Sequence, residues 1–179
     1  MALTATIYNL NTDLADIDRG VYETLPLRLA RQPSETAEYM LARFLGYCLE
    51  YTEGIAFTEG VASGDEPAVL VRDLTGRLTT WIEVGMPSAE RLHRASKKAA
   101  RVAVYTHRAI GQVLAQLNGQ KIHRAADIPV YEFGAGFLDE VAAVVDRRAA
   151  VSVSVTERQL YLDVDGKTFH TTITEHRLS

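Results

Sequence analysis

The chain has 179 residues, 47% of them hydrophobic and 23% charged, with a net charge of −4. That length suffices for one domain with its own core. The composition excludes a disordered or fibrous chain, and the acidic balance argues against capture of nucleic acid by bulk attraction. No apolar run approaches the roughly 18 residues of a membrane helix.

Residues 4–14 and 20–30 read as two strands joined around Asp16-Ile17-Asp18-Arg19-Gly20. In the second, Leu25, Leu27 and Leu29 alternate with Pro26, Arg28 and Ala30, the period of a half-buried strand. Pro26 cannot donate to a ladder, which places its strand at an edge or a bulge. Gln32-Pro33 ends it, and Ser34 stands as an N-cap for a helix to about Tyr51, with Glu35 at the positive end. Met40, Phe44, Cys48 and Tyr51 share one face of that helix. A short strand near 55–58 and the loop 59–64 follow. Asp65-Glu66-Pro67 then introduces a strand at 68–72, and Thr75-Gly76 turns into a strand at 78–84. Pro87-Ser88 opens a helix to about Ala100, followed by a strand at 102–105 and a helix at 108–117 that Asn118-Gly119 stops. The remainder reads as a strand at 128–132, a helix at 136–147, and strands at 150–156, 159–164 and 167–174. Asp165-Gly166 is a hairpin signal between the last two.

No repeat, low-complexity tract or linker interrupts residues 1–179, which supports a single domain. Cys48 is the only cysteine, so an intramolecular disulfide is excluded and a reducing cytoplasm is expected. The N-terminus has no basic cluster leading into an apolar stretch, so no secretion signal is expected.

From residue 34 to 117 the expected order begins helix, three strands, helix, strand. That order matches the α-β-β-β-α-β core of the PD-(D/E)XK nuclease superfamily. The fold class is thus α/β (α+β): a compact nuclease-like core at 34–117, with an additional antiparallel sheet built from strands in 1–33 and 128–179. Local tags narrow the resemblance. Met1-Ala2-Leu3-x-Ala5-Thr6-Ile7-Tyr8, Ala30-Arg31-Gln32-Pro33-Ser34-Glu35-Thr36, Asp65-Glu66-Pro67 and Trp81-Ile82-Glu83-Val84-Gly85-Met86-Pro87 occur in an order that resembles the YaeQ family. The resemblance covers nearly the whole chain. It implies a bacterial protein of nuclease-like fold without implying a reaction.

Metal-dependent phosphodiester cleavage needs hard oxygen ligands around a cation such as Mg²⁺ or Mn²⁺. Asp65 at the start of one strand and Glu83 at the end of the next are the candidate metal ligands, with Glu35, or less favourably Glu38, adding a third acid. The superfamily's Glu-x-Lys pattern would place lysine at position 85, where this chain has Gly85. Lys97 and Lys98 on the following helix are the replacements, and Lys98 lies nearer the buried stripe of Leu92, Ala95, Ser96 and Ala99. Equally, Asp65 is suited to cap a turn and Glu83 to be a satisfied polar residue at a strand end.

Charge is divided unevenly: residues 1–90 carry 6 basic and 14 acidic side chains, residues 91–179 carry 13 and 9. Arg91, Arg94, Lys97, Lys98, Arg101 and Arg108 lie within 91–108 with no acid among them. Arg91, Arg94, Lys97 and Lys98 form the expected phosphate-binding face for DNA or RNA, against the alternative of an ordinary solvated helix face. The five histidines show no zinc-site spacing, and there is no nucleophile elbow, phosphate loop or dinucleotide fingerprint. Two functions stand open: a Mg²⁺- or Mn²⁺-dependent nuclease, or a non-catalytic nucleic-acid- or protein-binding module on a nuclease-like scaffold.

Overall fold

The structure is a computed structural model that describes residues 4–58 and 65–179. Met1-Ala2-Leu3 and the expected loop 59–64 lie outside the described residues. The elements run β1 (Thr6–Asp16), β2 (Val21–Arg31), α1 (Ala37–Leu49), β3 (Ile55–Phe57), β4 (Val69–Arg72), β5 (Leu78–Val84), α2 (Ala89–Lys98) and β6 (Arg101–Thr106). They continue with α3 (Ile110–Leu117), β7 (Pro129–Glu132), α4 (Phe137–Ala142), β8 (Arg148–Thr156), β9 (Gln159–Val164), β10 (Lys167–Thr172) and β11 (Thr174–Arg177). The fold is mixed α/β, with two mixed sheets and four α-helices among the described residues.

The first sheet has the order β10-β9-β8-β1-β2. Leu10 and Leu14 of β1 and Leu25, Leu27 and Leu29 of β2 alternate inward, the pleat's period of two. Pro26 faces Asn11 in the edge strand β2, where a missing N–H is tolerated. The two ends of the chain do meet in this sheet, yet it is not antiparallel throughout. β1 and β8 run parallel, Asn9 opposite Arg148, because the chain reaches β8 by a long crossover through the helices and the other sheet.

The second sheet has the order β11-β7-β6-β5-β4-β3, with β5, β6 and β7 parallel. The last expected strand, 167–174, divides: β10 stays in the first sheet, and β11 crosses to pair with β7. Between the sheets lies α1, buried on nearly all sides from Met40 to Leu49. A helix apolar around its circumference requires such a position. Its core joins Leu10, Leu14, Val151 and Leu160 of one sheet to Ile82, Val84 and Ala103 of the other. On the far face of the second sheet, Trp81, Val102 and Val104 pack beneath Leu92 and Ala95 of α2 and Val113 and Leu117 of α3.

The cap of α1 is Thr36, whose hydroxyl accepts the Tyr39 N–H, in place of the expected Ser34. Residues 32–35 are occupied by a preceding turn in which the Glu35 N–H reaches the Gln32 carbonyl. The helix expected at 136–147 is shortened to α4, because Val144 and Val145 close a turn onto the Val141 carbonyl and the chain straightens to begin β8.

Candidate functional site

A cleft of about 480 Å³ opens where β5 and β6 end. Carboxyl ends of parallel strands are the usual mouth of such sheets, since the following chain segments diverge there. Gly85 follows β5 and has φ +83°, which turns the chain away from the sheet. Ser88 caps α2 by accepting the Arg91 N–H, so the starts of α1 and α2 both border the cleft. His107 and Arg108, directly after β6, form another part of its lining.

Glu83 stands on the α2 side of β5, two residues from Trp81, and its side chain is 4% exposed. Its Oε1 accepts both the Trp81 indole N–H at 2.5 Å and the Arg91 Nε at 2.7 Å. Its Oε2 accepts no hydrogen bond among the described residues and is open to the cleft. Burial pushes the Glu83 carboxyl above its ordinary range, opposed by the Arg91 cation and these hydrogen bonds. Arg91 also donates through Nη2 to the Glu66 carbonyl.

Tyr39 forms a wall. Its phenol makes no hydrogen bond among the described residues, and burial, with the Glu83 and Glu35 charges, raises it to about 12. At neutral pH it is a protonated O–H donor. His107 is held below its ordinary value by burial and by Arg108. Its Nδ1 is the one occluded side-chain polar atom without a partner among the described residues.

Glu35 borders the same cleft but is committed elsewhere. Its two oxygens accept Nε and Nη2 of Arg43, each at 2.8 Å, and both side chains are almost fully buried. Asp65 is not beside Glu83. The β4–β5 register sets Val69 opposite Ile82, so the position next to Glu83 is 68, and Asp65 lies three residues further out. Its side chain is 90% exposed, with Arg94 at 4.0 Å. Among the described residues no three of His, Cys, Asp and Glu gather as a group able to hold a metal ion. As arranged, Asp65, Glu83 and Glu35 do not fit Mg²⁺ or Mn²⁺: one is remote, one shares its charge with Arg91, and one is saturated by Arg43.

Lys98 makes no ion pair with Asp65 or Glu83. Its Nζ lies 5.8 Å from the Trp81 ring centroid, with the Arg91 guanidinium at 5.9 Å. Arg91, Arg94 and Lys98 therefore follow one stripe of α2 at spacings of three and four. Beyond Lys98 a second depression is lined by Arg77, Lys97, His123 and Arg124, without an acid in its lining. A smaller hollow holding Asp65, Trp81, Arg91, Arg94 and Lys98 shares Arg91 with the cleft and Lys98 with this depression. Arg101 leaves the stripe and holds Glu50 through two hydrogen bonds of 2.8 and 2.9 Å.

The basic composition of 91–108 carried the signal for His107 and Arg108. Tyr39, Arg77 and Arg124 carried none, since their places depend on which loops and helix ends meet. Cys48 is fully buried and its thiol is pushed well up, which leaves it in the core and away from the cleft.

The YaeQ protein family model matches residues 1–173. The chain is 33% identical over 175 residues to the uncharacterized protein YaeQ of Escherichia coli (strain K12), covering 97% of each chain. It is 31% identical over 163 residues to the Salmonella typhi protein of that name, covering 90% of each. The YaeQ protein from Pseudomonas syringae superposes with a TM-score of 0.87 at 28% identity, covering 98% of this chain and 97% of that one. The YaeQ protein from Xanthomonas axonopodis pv. citri gives 0.87 at 25% identity, covering 98% and 100%.

Proposed function

The chain belongs to the YaeQ family, and from that premise we propose that it binds the phosphate backbone of DNA or RNA along α2 and leads it to the Glu83 cleft. The observation that carries this reading is the run of three adjoining hollows joined through Arg91 and Lys98. Arg91 to Lys98 spans about 10 Å of helix at a rise of about 1.5 Å per residue. The Arg77–Arg124 depression extends that path. A local excess of positive charge along α2 attracts a polyanion even on a chain of net charge −4, since charges beyond about 8–10 Å are screened at physiological salt.

The scaffold reading is nuclease-like: α1-β3-β4-β5-α2-β6 follows the α-β-β-β-α-β order, within residues 34–117 of a single 1–179 domain. Of the two functions consistent with it, the arrangement of acids favours a binding module. Cleavage with Mg²⁺ or Mn²⁺ is the second reading, and the open Oε2 of Glu83 is the observation in its favour.

Fluorescence anisotropy with labelled single- and double-stranded DNA and RNA tests binding. Affinity is expected to fall steeply with salt, with a log–log slope of about −3 for four contacts to a single strand. The Arg94→Ala/Lys97→Ala/Lys98→Ala variant, which leaves the Arg91–Glu83 pair in place, is expected to reduce that slope by about 2. Salt-independent binding, or none, sinks the proposal. Calorimetry with Mg²⁺ and Mn²⁺ decides the second reading: metal binding and cleavage that both vanish in Glu83→Ala would put an enzyme in place of the module.

A further inference from the structure

The cleft is built with two chemistries. Its rim carries Arg91 and Arg108, but its floor presents an acceptor, Glu83 Oε2, which has no hydrogen-bond partner among the described residues. An accessible carboxylate oxygen is hydrated by solvent, so a ligand that displaces that water must supply a donor in its place. Phosphate oxygens cannot, since they are acceptors themselves. The complement to this floor is an N–H group.

The wall beside it is the Tyr39 ring, whose hydroxyl also lacks a partner among the described residues. Gly85 borders this ring: a Cβ built at Gly85 would lie 3.4 Å from Tyr39 Cε2. A side chain at position 85 would crowd that ring, and glycine leaves it only backbone as a neighbour there. A flat ring with an exocyclic amino group, attached to a phosphate that meets the arginines at the rim, satisfies floor, wall and rim together. The volume of about 480 Å³ lies within the range of small-molecule pockets.

We propose that the cleft receives one unpaired nucleobase of the bound strand, with its amino edge toward Glu83 Oε2 and its ring against Tyr39. The proposal rests on the backbone-binding reading and adds base selection to it. Between the two pyrimidines of DNA cytosine fits, because its N4 amino group donates to a carboxylate and thymine has no amino group. In thymine the ring N–H is flanked by two carbonyl oxygens that the carboxylate repels.

The test compares an all-thymidine single strand of about ten nucleotides, a typical site size for one module, with the same strand carrying one central cytosine. Both are measured by anisotropy at fixed salt. The cytosine strand is expected to bind about fivefold more tightly, a fraction of what a two-hydrogen-bond contact discriminates. Glu83→Gln is expected to remove the gain, because its carboxamide also offers a donor that accommodates thymine. Tyr39→Phe is expected to keep the gain, and Tyr39→Ala to weaken both strands. Circular dichroism establishes that each variant is folded, and the wild-type comparison decides the matter if Glu83→Gln is not. Equal, salt-dependent binding of both strands overturns the base pocket while leaving backbone binding intact. A gain that survives in folded Glu83→Gln also overturns it. Binding of neither strand overturns both.

Discussion

Glu35 gives both carboxylate oxygens to Arg43 in the core, while Glu83 keeps one oxygen for the cleft. Glu35→Ala would strand the Arg43 charge at 1% exposure and is expected to cost about 3–5 kcal/mol. Urea unfolding measures this, and a loss below 1 kcal/mol would mean that water or a shifted side chain reaches Arg43. Glu83 gives a pH signature. Its folded carboxyl titrates above its unfolded value, so the folded state holds the proton more tightly and stability falls as pH rises through that window. Across pH from about 4.5 upward, wild type is expected to lose stability relative to Glu83→Gln, as read by urea midpoints. An opposite slope would show that Arg91 outweighs burial. Both glutamates were legible in the sequence as candidate acids. Their division of labour was not, because it depends on how Arg43, within α1, folds back onto Glu35 and on a register that puts position 68, not 65, beside Glu83.

At the scale of elements, the stretch from β5 through Gly85 to α2 decides the shape of the site. The superfamily pattern would put lysine at position 85, but the backbone there has φ +83°, a conformation side-chain-bearing residues rarely adopt. Gly85→Lys is therefore expected to destabilise by about 1–2 kcal/mol and to narrow the cleft against Tyr39. A melting temperature equal to wild type would show that the turn relaxes. Alternation in β2, the buried stripe of α2 and the Asp165-Gly166 hairpin could all be read from residue order, since each is a local period or a local turn. Ranges held within a few residues except where tertiary pairing intervened. α4 ended early to free β8, and the final strand split so that β11 could cover β7. Neither event leaves a local mark. Arg101 shows the same limit: it belongs by sequence to a stretch rich in basic residues, but its partner, Glu50, is at the far end of α1.

Across the molecule, β11 and the residues around it fasten the C-terminus onto the second sheet. Ile173 and Leu178 are 2% and 5% exposed, and the Ser179 N–H and carbonyl bond to Asn118 and Gly119. A chain ending at Thr172 would uncover the β7 edge and remove both apolar side chains. Each lost side chain is worth about 1.5–3 kcal/mol, so a marked fall in melting temperature is expected by calorimetry, and an unchanged one would show β11 to be dispensable. The parallel join of β1 to β8 has a further consequence during synthesis. The hairpin of β1 and β2 leaves the ribosome well before β8, with Leu10, Leu14, Leu25, Leu27 and Leu29 all on its apolar face. Its permanent neighbour on the β1 side begins at Arg148, so the nascent hairpin waits through most of translation with an open edge. At about 5–20 residues per second that interval lasts on the order of ten seconds, long enough for a chaperone, or for another nascent copy, to reach the edge before its own chain does.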